Sequence, residues 1–225
     1  MRRLIRDISS VLIISGVLLV ADAAVTLLWQ EPLTALVALI KRSQIDNRAL
    51  AAPLSRLDRN ALDSLRYERQ RIAYLARREQ RQVRTGAGIG RILIPRIGAS
   101  YELVQGTDTA SLEKGPGHYP ATAFPGLGQT VAIAGHRTTY LAPFRHIDAL
   151  RPGDKIGLNM PYARFTYVVQ YHKIVVPTAL WVTRNVGYER LVLSACNPLY
   201  SAAQRIIVFA RLGRVQPTAA ARSAA

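Results

Sequence analysis

Glu189-Arg190-Leu191-Val192-Leu193-Ser194-Ala195-Cys196-Asn197-Pro198 and, shortly after it, Arg205-Ile206-Ile207-Val208-Phe209-Ala210 decide the fold. Each is a short apolar run rich in β-branched residues, too brief for a buried helix, and Asn-Pro punctuates the space between them. Successive strands joined by a short loop tend to be neighbours, so Cys196 and Arg205 are expected at the same end of a sheet. The same texture recurs upstream in Ile89 to Ile97, Gln129 to Ala134, Lys155 to Leu158 and Arg164 to Val176. Gly115-Pro116-Gly117, Phe124-Pro125-Gly126 and Arg151-Pro152-Gly153-Asp154 separate these runs. Only short helical pieces fit between, near Thr109 to Lys114 and Pro143 to Leu150. Closely spaced strands with turn signals predict an all-β domain, a closed or nearly closed barrel of about 130 residues.

Three side chains stand out at predicted strand ends. Cys196 closes one strand, Arg205 opens the next, and His136 follows Thr130-Val131-Ala132-Ile133-Ala134-Gly135, whose small residues leave room for a ligand. A thiol can attack a carbonyl, an imidazole can carry protons for departing and arriving amines, and a guanidinium can donate to a developing oxyanion. Spacing alone leaves a second account open for each: a buried structural cysteine, a satisfied structural histidine, an ion-paired arginine. His118, His146 and His172 have no metal-ligand spacing and are read as structural or incidental.

Outward from the barrel, Arg2, Arg3 and Arg6 precede an apolar run from Ile8 to Trp29 in which Asp22 is the only charge. Those residues span about 33 Å as a helix, enough to cross a bilayer, and the basic start places the N-terminus in the cytoplasm and the bulk of the chain outside. Ala21-Asp22-Ala23 also fits the cleavage site of a secretory signal. Apolar character resumes beyond it as far as Ile40, which favours an uncleaved anchor.

The chain has 225 residues, with 30 Lys+Arg against 14 Asp+Glu and a single cysteine. One cysteine excludes a disulfide framework, a multi-cysteine zinc cluster and a C-x-x-C pair. The net charge of +16 points to anionic surroundings, and 7 of those charges fall in Lys41 to Thr85, where twelve cations face five acids. In that segment Leu50, Leu54, Leu57, Ala61, Leu65, Ile72 and Leu75 recur at near-helical spacing, with Pro53 suited to a first turn. Such a helix can lie on anionic headgroups, stand as a solvated stalk, or pack on the following domain. A nucleic-acid partner is not expected for a domain outside the cytoplasm. Thr85-Gly86-Ala87-Gly88 reads as a hinge or linker. The expected organisation is anchor at 1–40, basic helical stalk at 41–87, barrel at 88–216 and disordered tail at 217–225.

The stretch Leu193-Ser194-Ala195-Cys196-Asn197-Pro198 with Arg205 following resembles the T-L-x-T-C…R signature of the sortases, the wall-anchoring transpeptidases of Gram-positive bacteria. Ala134-Gly135-His136 resembles their A-G-H element. Gly115-Pro116-Gly117-His118-Tyr119-Pro120, the run from Ala134 to Tyr140, and Leu150-Arg151-Pro152-Gly153-Asp154 are most similar to class E, the actinobacterial housekeeping branch. The resemblance covers roughly Ile89 to Val215, with Ser194 and Ala195 standing where threonines precede the cysteine and Asn197 where another residue is common.

The resemblance implies an eight-stranded barrel and a single N-terminal anchor in the cell membrane, with the catalytic domain extracellular. It implies cleavage of an L-P-x-T-G-like or, for class E, L-A-x-T-G-like sorting signal on secreted proteins between Thr and Gly, and transfer to an amine of a lipid-linked peptidoglycan precursor. By position, Cys196 is the nucleophile, His136 the proton carrier and Arg205 the oxyanion donor, while Tyr119 and Thr138 are candidates for lining the peptide groove. No cofactor is expected. Glu102, Asp108, Glu113, Asp148, Asp154 and Glu189 form no obvious cluster, so no calcium requirement is expected either. A single apolar run favours protein anchoring over pilus assembly. The competing readings are a catalytically inactive tethered scaffold and a thiol hydrolase.

Overall fold

The computed structural model describes residues 2–28, 32–47 and 53–222. Trp29, at the end of the expected anchor, and Leu50, in the expected amphipathic stripe, lie outside them. Eight strands form a closed barrel in the order β1-β2-β3-β4-β7-β8-β6-β5. They are β1 Gly88–Ile94, β2 Ala99–Gln105, β3 Gly117–His118, β4 Thr130–Ala134, β5 Lys155–Asn159, β6 Ala163–Val175, β7 Arg190–Asn197 and β8 Gln204–Pro217. Every strand has a partner on both sides over part of its length, while β6 beyond Val169 pairs with β8 alone.

Along β7 and β8 the side chains alternate between two environments. Leu191, Leu193 and Ala195, with Ile206, Val208 and Ala210, join the main core inside the barrel. Val192, Ile207 and Phe209 face the other way, into a second buried cluster with Ala132 and Val182 on the outer surface of the sheet. The period of two therefore assigns Ser194, Cys196 and Arg205 to the outer face as well.

Two strands are not apparent as separate runs in the sequence. The stretch expected as one strand, Ile89 to Ile97, ends at Ile94. Pro95–Ile97 makes a single 3-10 turn and Gly98, at φ 64°, reverses the chain into β2. Proline supplies no amide hydrogen to a ladder and glycine accepts the left-handed conformation, so the break has a local cause. β3 is only two residues long and hides in the glycine-proline cluster, yet it bridges β2 in parallel and β4 in antiparallel register.

The helices before the barrel are α1 Arg2–Leu28, α2 Pro32–Ser43, α3 Arg56–Ser64 and α4 Glu68–Gln82; a short α5, Thr109–Leu112, follows β2. Within α1, Arg6–Val25 has a mean hydropathy of 2.3 and no buried residue, which by length and composition suffices to cross a bilayer. Helix α3 starts from a Ser55–Asp58 capping box rather than at Pro53. Asp58 also accepts from Tyr74 Oη at 2.9 Å and Arg78 Nε at 3.0 Å, which ties α3 to α4. The apolar stripe of α4 is packed on the barrel: Ile72, Leu75 and Ala76 are buried in the main core with Leu62 of α3. Of the three readings of the basic segment, packing on the following domain is the one observed for α3 and α4, since the stripe that would insert into headgroups is used internally. The segment expected as a frayed tail begins with order: Ala219–Ala221 form a 3-10 turn and Ala221 is fully buried in the same core.

Candidate active site

Register brings the three singled-out residues together. β4 and β7 run parallel with Ala134 beside Ser194, so the chain two residues further on carries His136 alongside Cys196. β7 and β8 run antiparallel with Cys196 directly opposite Arg205. The result is a groove of about 300 Å³ on the outer face of the barrel, lined by His136, Cys196 and Arg205 with Tyr119, Ala134 and Ser194 among its walls. Small residues on β4 and β7 keep the floor low. Cys196, His136 and Arg205 are each half-buried. Arg205 Nη1 donates to the carbonyls of Ala202 at 2.9 Å and Gln204 at 3.0 Å, which fixes the guanidinium at the mouth of the β7–β8 loop.

His136 sits just beyond the end of β4. Its Nε2 is buried and has no hydrogen-bond partner among the described residues. Its ring packs against Tyr140, with centroids 5.1 Å apart. Burial pushes the imidazole below its ordinary pKa, and the charge of Glu113 partly opposes that shift. Burial thus favours the uncharged imidazole, the form that can accept a proton.

Tyr119 is among the residues lining the groove, whereas Thr138 is half-buried in the bend after His136 and is not. His118 is structural: it is buried between Gln105 Oε1 at 2.9 Å and the Ala123 carbonyl at 3.0 Å, and burial lowers its pKa to about 4. Among the described residues no group of His, Cys, Asp and Glu side chains is arranged to hold a metal.

Arg137 was not singled out by the sequence reading. Its side chain is only 3% exposed and reaches Asp148 Oδ2 at 2.6 Å. It also donates to Asn197 Oδ1 at 2.9 Å, to the Arg145 carbonyl at 3.2 Å and, at the limit of bonding distance, to the Cys196 carbonyl at 3.5 Å. One buried guanidinium thus stitches the histidine loop to the end of the cysteine strand. It also gives Asn197, a departure from the family pattern, a task. The available signal was an arginine beside the histidine in Ala134-Gly135-His136-Arg137, with an acid eleven residues on.

Residues 92–213 match the family described as the sortase domain. The chain is 35% identical over 132 residues to Sortase D of Bacillus subtilis, covering 56% of this chain and 65% of that protein. It is 27% identical over 148 residues to Sortase SrtE1 of Streptomyces coelicolor, covering 59% and 42% respectively. The match therefore spans less than two thirds of either of these relatives. Among solved structures, sortase E from Streptomyces avermitilis superposes with a TM-score of 0.55 at 35% identity, covering 62% of this chain and 99% of that one.

Proposed function

Since the chain belongs to the sortase family, we propose that it is a membrane-anchored cysteine transpeptidase acting outside the cytoplasm. It cleaves an L-A-x-T-G-like or L-P-x-T-G-like sorting signal of secreted proteins between Thr and Gly. It then joins the threonine carbonyl to an amine of a lipid-linked wall precursor. The observation that carries this reading is the register that sets His136, Cys196 and Arg205 abreast in one groove.

The chemistry follows from what each group can do. Neutral His136 takes the Cys196 proton as Sγ attacks the threonine carbonyl, and Arg205 donates hydrogen bonds to the oxygen that becomes negative. The tetrahedral species collapses to a thioester. The C–N bond breaks, and His136 passes its proton to the departing glycine amine. An incoming amine attacks the thioester, His136 accepts the amine proton, and the Cys196 thiolate leaves and is reprotonated. The cycle consumes one amide and makes one, so it needs no redox or nucleotide cofactor. In this reading Tyr119, on the groove wall beside the outer apolar cluster, lines the peptide groove.

The anchor in this reading is Arg6–Val25, with Arg2, Arg3 and Arg6 on the cytoplasmic side. The test uses the full chain in detergent with L-A-x-T-G and L-P-x-T-G peptides, with and without an amine acceptor. Ligated product that disappears in Cys196→Ala supports the proposal. Cleavage indifferent to acceptor makes the protein a hydrolase, and the absence of any thioester by mass spectrometry overturns the catalytic reading.

A further inference from the structure

A chain of contacts runs from the juxtamembrane helix to the imidazole. Thr34, Ala38 and Lys41 recur at helical spacing along α2. Ala38 is buried, and Lys41 Nζ lies 2.9 Å from Glu113 Oε2. Glu113 Oε1 accepts from Tyr140 Oη at 3.1 Å, and Tyr140 N donates to Thr34 Oγ1 at 3.4 Å. The Tyr140 ring in turn packs against His136. So α2 reaches the histidine loop both through the backbone of Tyr140 and through the Glu113 carboxylate.

The loop needs such support. Tyr140, Leu141 and Ala142 all take positive φ, at 49°, 65° and 41°. Three consecutive left-handed residues that are not glycine persist only where the surroundings over-determine them. The constraints are visible: Tyr101 Oη donates to the Leu141 carbonyl at 3.1 Å, Ala142 is buried, and Tyr140 is held at its hydroxyl by Glu113.

We propose that Glu113 is a positioning residue for His136: clamped by Lys41 of the juxtamembrane helix, it holds Tyr140 so that the tyrosine ring braces the imidazole in the groove. The barrel's proton carrier is thereby set by a helix adjoining the membrane anchor. Hydrogen bonds from Lys41 and Tyr140 keep the Glu113 carboxyl below its ordinary pKa, so the clamp is charged at neutral pH. The charged and titratable groups around the imidazole include Tyr140 against its ring, Glu113 with Lys41 behind it, and Cys196 and Arg205 across the groove. The inference rests on the role given to His136 above.

The experiment uses the full chain in lipid nanodiscs and compares Glu113→Gln, Tyr140→Phe, Lys41→Ala and Lys41→Arg. Two readouts are taken: kcat and KM for peptide transfer, and the His136 midpoint by ¹⁵N NMR titration in a Cys196→Ala background, which requires no turnover. Glu113→Gln, Tyr140→Phe and Lys41→Ala are expected to lower kcat by about two- to thirtyfold with little change in KM. Lys41→Arg is expected to recover most of the loss. Glu113→Gln is expected to shift the His136 midpoint further down, because it removes the negative charge that favours imidazolium. Tyr140→Phe keeps the ring and its packing, so a loss there reports the hydroxyl clamp rather than a misfolded loop. Wild-type kcat and midpoint in Glu113→Gln, or a silent Lys41→Ala, overturn the proposal. If the chain transfers no peptide at all, the enzymatic reading fails, while the titration still decides whether Glu113 governs His136.

Discussion

Cys196 and Arg205 are directly opposed residues of the β7–β8 ladder, on the outer face of the barrel. Directly paired residues of antiparallel strands project to the same side with Cβ atoms about 5 Å apart. The backbone spacing of the two residues is thus set by the ladder, and the guanidinium is held by the Ala202 and Gln204 carbonyls. In the proposed reaction that positive charge stabilises the oxyanion formed as Cys196 Sγ attacks.

Arg205→Ala is expected to lower kcat by about 10²- to 10³-fold, equivalent to ~3 kcal/mol, in line with the loss of one oxyanion donor. Arg205→Lys is expected to recover little of this. An ammonium on a flexible stem cannot satisfy the Ala202 and Gln204 carbonyls and still present donors toward the groove. Steady-state transfer kinetics check both, and near wild-type turnover in Arg205→Ala removes the arginine from the chemistry.

Arg137→Ala is expected to cost about 1–3 kcal/mol of stability, discounted because its partner Asp148 is 53% exposed. It is also expected to slow acyl-enzyme formation, because the histidine loop and the cysteine strand lose their shared tie through Asn197. Denaturant midpoints and burst-phase mass spectrometry read the two effects separately. Asn197→Ala removes one acceptor only and is expected to give a smaller effect on both.

The helices ahead of the barrel belong to its core, so Ile72→Ala is expected to destabilise the protein by about 2–4 kcal/mol. Ile72 is 6% exposed and Leu75 5%. A fragment beginning at Gly88 leaves the barrel surface that they cover open to water and is expected to unfold at lower denaturant than one beginning at Pro53. Urea melts of the two fragments decide whether the stable unit starts at Gly88 or before it.

The strand pattern, the turn clusters and the three candidate site residues were legible because each depends on local chemistry: β-branched runs, glycine-proline breaks, a thiol and an imidazole at strand ends. Other features depend on contacts distant in sequence. The parallel pairing of β4 with β7, which sets His136 beside Cys196, joins segments separated by sixty residues and leaves no mark in either. The fate of the Ile72–Leu75 stripe was undecidable locally, since lipid, water and barrel accept the same amphipathic helix. The two-residue β3 is too short for any periodicity. Arg137 looked like one more cation in a chain with thirty Lys and Arg, and only its burial distinguishes it.

His118 makes stability pH-dependent. Its folded pKa of about 4 lies below the ordinary 6.5, so between those values the unfolded chain binds more protons than the folded one. Stability from this group is fully present above about pH 6.5 and is lost as pH falls, by about 2 kcal/mol at pH 5. His136, also lowered by burial, adds in the same direction. Denaturation at pH 7 and pH 5 is expected to show a larger difference for the wild type than for His118→Gln. Equal differences would mean that His118 is solvated in the folded state.

Gly135 is required by packing beside the site. A Cβ built there meets Phe144 Cδ2 at 2.5 Å and Cε2 at 2.7 Å. The ring cannot retreat, because Phe144 is fully buried in the main core and its amide donates to the His136 carbonyl at 3.0 Å. Gly135→Ala is therefore expected to cost about 1–3 kcal/mol and to displace the histidine from Cys196, lowering transfer as well as the denaturation midpoint. Phe144→Leu alone leaves a void. Combined with Gly135→Ala it makes room for the added methyl, so the double variant is expected to be more stable than the sum of the two single losses. Contacting residues show such non-additivity and independent ones do not. A strictly additive double variant would mean that the phenylalanine ring is not what keeps position 135 a glycine.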